Sequence, residues 1–499
     1  MTISFLSILI AQGSFARSYG SPYDEWGYSV IATSDGGYAV VGCRNTGANY
    51  DPIVLKLNAT GGLDWSRQFG APENDYAYSI AQTSDGGYVV VGWKSTLCPV
   101  MLVIKLSALG GVQWVKTIDQ SNLEKAFAVS STSDGGFVLV GHEVTGPALN
   151  FVAIKFSSSG SIQFIEAFSE SARGDTAYSV IQTRDGGYAI AGYTQSFGAG
   201  TMGNCHVVKI DAAGTYEWET MLGGASFDIA RSVLQSDDGS YVVAGHTSSF
   251  GVGGYDILVF KLATDGTPVW VRTLGGGADD YAFSVTQAHD GGYVVAGYTY
   301  SFGSGNADAC VMKLDENGGV LWARTFGGGA DDYAFSVTQA HDGGYLVAGT
   351  TNSFGAGGND IFILKLNEDG SYPGCVNDCP ILAGNPTPAV QYPHTHAWLS
   401  LNSHDATMTT TAPNFDIGNI CPPLDIRERG CRSPNAPVAS YCRGGLVFLS
   451  AEETSISVYS PDGRIAYSGQ LRQGENRINL GRGVYLWVAG GYRGKAAVR

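Results

Sequence analysis

The triplet Asp-Gly-Gly, or a close variant, returns seven times, with its aspartates at Asp35, Asp85, Asp134, Asp185, Asp238, Asp290 and Asp342. The gaps are 50, 49, 51, 53, 52 and 52 residues. A period near fifty confines a β-rich chain to a propeller or a solenoid, because one such unit cannot bury its apolar face alone. In the sixth copy, Ala282 to Gln287 is an extended run, His289-Asp290-Gly291-Gly292 a turn, and Tyr293 to Gly297 a second run. Asp-Gly between two β-rich runs signals a hairpin, since glycine supplies the positive φ of a tight reversal. A second hairpin runs from Ala309 through Asp315-Glu316-Asn317-Gly318 to Phe326, around Trp322. Each copy thus supplies four short strands, a to d, the arithmetic of a propeller blade.

The copies are closed on themselves. Strand c carries Lys56, Lys105, Lys155, Lys209, Lys261, Lys313 and Lys365, and strand d an aromatic at Phe15, Trp65, Trp114, Phe164, Trp218, Trp270 and Trp322. Phe15 precedes the first repeat and no equivalent follows Lys365, so the amino-terminal segment is expected to supply the outer strand of the last blade and to remove a free edge. The predicted fold is all-β: a seven-bladed β-propeller of four-stranded blades over 12–370, closed by an N-terminal strand, with a linker at 371–443 and a small C-terminal β-sandwich at 444–499. Asp315 to Trp322 and Asn58 to Trp65, read as Asp/Asn-x-x-Gly-x-x-x-Trp, resemble the tryptophan-docking motif of pyrroloquinoline-quinone-type propellers, in which the Trp wedges between blades. Thr33-Ser34-Asp35-Gly36-Gly37 resembles the Asp-box of sialidases. Both resemblances concern packing, and a propeller hosts many unrelated functions.

The two ends bear on location. Met1 to Ala11 is an apolar run too short to span a bilayer; it reads as the hydrophobic part of a signal peptide lacking its basic start, or as a buried strand. The tail contains Ser460-Pro461-Asp462-Gly463-Arg464, Gly483-Val484-Tyr485-Leu486 and Lys495 to Arg499. It resembles the carboxyl-terminal sorting domain of type IX secretion, the Por secretion tail, through Asp462, Gly463, Arg464, Gly483, Val484, Tyr485 and Lys495. The resemblance implies the type IX secretion machinery as partner, and a protein secreted from, or held on, the outer membrane of a Gram-negative-type bacterium. The linker holds Cys375, Cys379, Cys421, Cys431 and Cys442, enough for two disulfides in an exported protein with one thiol over.

Function is less legible. The net charge of −16 argues against nucleic acid, whose readers carry a basic stripe. The a–b and c–d turns are tight and monotonous, whereas the b–c and d–a connections are long and varied, so the face bearing the latter is the expected binding surface. Its Ser-Phe-Gly loops place Phe197, Phe250, Phe302 and Phe354 as candidate contacts to a surface glycan or protein, with Asp280 and Asp332 beside them. Strand a opens on an acid in every copy: Glu25, Asp75, Glu124, Asp175, Asp228, Asp280 and Asp332. At a channel mouth such a ring is suited to Ca²⁺; the simpler expectation is that each carboxylate accepts local N–H groups and fixes its loop. The lysines and Asp-Gly-Gly aspartates are expected to form a structural ion pair in each blade. No nucleophile motif such as Gly-x-Ser-x-Gly or zinc motif such as His-Glu-x-x-His occurs. The copies depart only mildly from one another, which favours a non-enzymatic binding protein over a carbohydrate-active hydrolase or lyase using mouth carboxylates, or over a surface-layer component.

Overall fold

The computed structural model describes residues 14–372 apart from 71, 97–98, 120–123, 146–147, 169–173 and 197–201, and beyond 372 only the backbone of short strands. Every regular element among these residues is a strand, and none is a helix able to cross a membrane. Blade one comprises Glu25–Ala32, Tyr38–Asn45, Tyr50–Leu57 and Leu63–Gly70 as strands a to d. Strand a of blades two to six is Asp75–Gln82, Lys125–Ser131, Asp175–Gln182, Asp228–Gln235 and Asp280–Gln287. Blade seven takes a to c from Asp332–Gln339, Tyr345–Thr351 and Asp360–Leu366. Its strand d is Phe15–Gly20, antiparallel to strand c with Phe15 opposite Lys365. The ring closes by the strand exchange that the displaced aromatic implied.

The turns follow from their residues. In each a–b reversal a glycine takes positive φ, as Gly36 does at 84°, a conformation that costs a side chain about 1–2 kcal/mol. The neighbouring aspartate accepts from the backbone two residues on and from the strand-c lysine. Asp85, for example, accepts from Gly87 N at 3.0 Å and from Lys105 Nζ at 2.9 Å. The pairing recurs in all seven blades, through Lys56–Asp35, Lys155–Asp134, Lys209–Asp185, Lys261–Asp238, Lys313–Asp290 and Lys365–Asp342. The ammonium groups are buried and satisfied, so they are scaffold.

Blades are bonded to one another by the strand-d aromatics. Trp270 lies against Tyr293 of the next blade, centroids 6.2 Å apart, and its Nε1 donates to Glu316 O at 3.2 Å. The ring also covers Gly318, where a Cβ would come within 3.0 Å of it. Phe15 does the same across the closure, 6.5 Å from Tyr38 and over Gly61. Strands b and c, packed between neighbouring blades on both faces, are almost wholly apolar and buried.

The segment after blade seven is not free of the propeller. Asn377–Asp378, Leu382–Gly384, Ala389–Gln391, Ala397–Trp398, Asn402–Asp405, Thr409–Thr411 and Asp416–Asn419 pair in turn with strand d of blades six, five, four, three, two, one and seven. Every pairing is antiparallel. The chain therefore runs once round the rim and adds a fifth strand to each blade, covering edges that would otherwise template association. Cys43, Cys205 and Cys310 are buried as thiols within the propeller. A separate unit, Cys421–Arg499, carries a three-stranded and a four-stranded antiparallel sheet. Gly483, Val484 and Tyr485 open its strand Gly483–Ala489, and Lys495 lies in Tyr492–Val498; Asp462, Gly463 and Arg464 lie outside the described residues.

Candidate functional site: the channel and its aromatic face

The acids that open strand a do not line the channel. All seven are 2 % exposed or less. Asp332 accepts from Thr351 Oγ1 at 2.5 Å, Ser353 Oγ at 2.6 Å and Gly328 N at 2.8 Å. Asp280 accepts from Ser301 Oγ at 2.8 Å and Gly276 N at 2.7 Å, and Asp228 from Ser249 Oγ at 2.7 Å and Gly224 N at 2.8 Å. Asp175 accepts from Ser196 Oγ at 2.6 Å, Glu25 from Arg44 Nε and Ser21 N at 3.1 and 3.0 Å, and Asp75 lies 3.5 Å from Lys94 Nζ. Glu124 is likewise buried and engaged. These carboxylates tie the d–a loop to the b–c loop. No group of three or more His, Cys, Asp or Glu side chains able to hold a metal ion occurs among the described residues.

The Ser-Phe-Gly motif takes its meaning from the same bonds, for its serine is the donor to the strand-a aspartate. Phe250, Phe302 and Phe354 are half-buried, each over the first glycine of the adjoining d–a loop: a Cβ on Gly224, Gly276 or Gly328 would meet their rings at 2.9, 2.8 and 3.3 Å. Phe197 lies outside the described residues.

What lines the channel is set by a repeated irregularity. In every blade the a–b register slips by one residue just after strand a begins. The residue skipped is Tyr28, Tyr78, Phe127, Tyr178, Arg231, Phe283 or Phe335. A β-bulge re-aims its extra side chain, and here all seven turn towards one another. Tyr28 touches Tyr78 at 5.1 Å and Phe335 at 5.7 Å; Phe127 touches Tyr78 at 5.5 Å and Tyr178 at 5.4 Å; Phe283 and Phe335 are 5.3 Å apart. Arg231 fills the remaining place, its guanidinium carbon 4.2 Å from the Tyr178 ring and 5.3 Å from Phe283. The next serine in most copies serves the neighbouring blade: Ser284 Oγ accepts from Val337 N at 3.1 Å, and Ser232 from Val285 N at 3.2 Å.

Two residues nearer the b–c/d–a face lies a second tier, Trp26, Tyr76, Lys125, Thr176, Ile229, Tyr281 and Tyr333. Its aromatics extend outward. On blades one and two, Trp26, Tyr50, Tyr76 and Trp93 form a run with successive centroids 5.4, 5.7 and 4.7 Å apart. On blades five to seven, Tyr255, Tyr281, Tyr298, Tyr300 and Tyr333 cluster, with Tyr298 4.9 Å from Tyr281 and 4.7 Å from Tyr333. Burial and the nearby Asp279 push the Tyr281 hydroxyl well above its ordinary value. Neither tier is among the candidate residues read from the sequence. The inner collar's signal is an aromatic three residues after the strand-a acid in six copies, replaced by Arg231 in the fifth.

A family model described as a domain of unknown function, DUF5122, a β-propeller, matches residues 341–371. A search of curated proteins finds no match. Among solved structures, the Pseudomonas aeruginosa periplasmic gluconolactonase PpgL is 12 % identical with a TM-score of 0.40, covering 76 % of this chain and 99 % of that one. A Dyadobacter fermentans protein of unknown function is 14 % identical with a TM-score of 0.39, covering 71 % and 98 %. The NanB sialidase of Streptococcus pneumoniae, in a point-mutant form, is 10 % identical with a TM-score of 0.36, covering 70 % and 69 %.

Proposed function

We propose that this chain is a non-enzymatic binding protein that presents the b–c/d–a face of its propeller to a surface glycan, a protein ligand being the other outcome of the test. The observation that carries the reading is the half-buried aromatic run Trp26, Tyr50, Tyr76, Trp93 on that face. Flat rings at a solvent boundary offer apolar area at low entropic cost, which suits stacking on a pyranose face. Catalysis has less support: the buried carboxylates recur from blade to blade and are spent on their own loops, so none is singled out. The test is a glycan array probed with the full chain, with and without Ca²⁺. Binding that falls at least tenfold in Tyr76→Ala/Trp93→Ala supports the reading. Binding that instead falls only in Phe250→Ala/Phe302→Ala/Phe354→Ala moves the contact to the Ser-Phe-Gly loops, and no binding in either condition removes the glycan.

The tail residues quoted above support export by type IX secretion to the cell surface or medium. Residues 444–499 fused to a periplasmic reporter in a host with that machinery should carry it across the outer membrane. Retention in the periplasm would dispose of this assignment.

A further inference from the structure

The two tiers that line the channel contain two cations, Lys125 and Arg231, and no carboxylate, in a chain whose net charge is −16. Lys125 lies over the Trp93 ring at 4.4 Å. Arg231 is the more confined. Its Nε is buried without a hydrogen-bond partner, and no carboxylate pairs with it among the described residues. It replaces an aromatic at a position that is aromatic in the other six blades, so the ring packing does not require it. Tyr178 and Phe283 wall it on either side. Its charge reaches its neighbours: burial, and then Arg231, push the His246 imidazole down to about 3, so that side chain adds no charge of its own. The Asp279 carboxylate is engaged elsewhere, accepting from the Tyr281 hydroxyl at 3.3 Å.

Neighbours spaced 5.1–5.7 Å close a seven-membered ring of about 6 Å radius to the centroids, leaving an opening of about 6–9 Å once ring thickness is removed. A single six-membered ring fits such an opening; a folded peptide does not. A guanidinium presents parallel N–H donors matched to a carboxylate, and aromatic walls suit a flat body beside it. We propose that the collar is a binding site for a carboxylate carried on one flat or ring-shaped body, with Arg231 as its counter-ion and Tyr178 and Phe283 as its walls. The site lies within the channel and goes beyond the loop-face reading, and each can fail while the other stands.

The test is calorimetric titration of the full chain with benzoate and with glucuronate, against benzamide and glucose as their uncharged counterparts. At least one carboxylate should bind at least tenfold tighter than its counterpart. Arg231→Phe, which installs the residue already present in blades three, six and seven, should weaken it at least tenfold while Val269→Ala, at an exposed position on the outer strand Pro268–Gly275, leaves it within about twofold. Should R231F fail to fold, Arg231→Gln is read in the same way. Failure of both carboxylates to bind, equal binding of the uncharged probes, or unchanged affinity without Arg231 would each overturn the proposal.

Discussion

Lys365 donates to both carboxylate oxygens of Asp342, at 2.7 and 3.0 Å, and to the Leu366 carbonyl at 3.2 Å. This is the most enclosed of the repeated ion pairs, its side chains 2 % and 14 % exposed, and it sits in the blade that closes the ring. Lys155 has more to fall back on, since Gln163 and the Phe156 carbonyl accept from it at 2.9 and 2.8 Å and its partner Asp134 is 49 % exposed. Removing one member of a buried pair strands the other charge at a cost of about 3–5 kcal/mol, less where acceptors remain beside it, as Gln163 and the Phe156 carbonyl do for Lys155. Asp342→Ala should therefore destabilise more than Asp134→Ala in urea unfolding. Equal losses would show that enclosure does not set the strength of these pairs.

The c–d turn glycines carry a packing duty that the a–b turn glycines do not. Gly266 and Gly291 both have positive φ, at 83° and 87°. A Cβ on Gly266 would sit 2.6 Å from the Trp218 ring, whereas one on Gly291 meets nothing within 4 Å. Gly291→Ala should cost only the backbone strain of about 1–2 kcal/mol. Gly266→Ala should add about 1–3 kcal/mol of overpacking. A common shift in melting temperature would deny the tryptophan its docking role.

Stability should respond to pH through buried groups that oppose one another. Burial pushes the Glu25 and Glu166 carboxyls up from 4.5 to about 7. The folded chain then holds protons that the unfolded chain has lost, so their contribution is full below about 4.5 and is lost as pH rises to about 7. Burial, with Lys125 nearby, pushes His142 down from 6.5 to about 4, and that contribution is lost as pH falls through this interval. Glu166→Gln isolates one side of the balance. Its melting temperature relative to the parent should rise from pH 5 to about pH 7 and level off above that, and a flat difference across that range would mean that Glu166 titrates normally.

The rim strands should be separable from the ring. In a chain ending at Tyr372 the outer edges of the d strands lose their fifth partners. Hydrogen exchange in segments such as Leu63–Gly70 should then quicken at least tenfold while strands b and c hold, with more self-association at high concentration. Unchanged exchange in strand d would mean that the rim contributes no protection.

The sequence by itself determined the blade count, the four strands of each blade, the closure by Phe15–Gly20 and the repeated Lys–Asp pairs. Those features rest on local turn chemistry and on a period, both of which are written within about fifty residues and repeated. It also offered two meanings for the strand-a acids, which in the fold are buried and bonded to the loops beside them. Tertiary structure alone decided the channel. Arg231 meets Tyr178 and Phe283, one from each neighbouring blade, because bulges turn all three side chains inward, and a bulge is a property of strand pairing rather than of residue pattern. The circuit of Asn377–Asn419 round the rim was hidden for the same reason. Its strands are two to four residues long, too short to show a period, and only the open edges of a finished ring give them something to pair with.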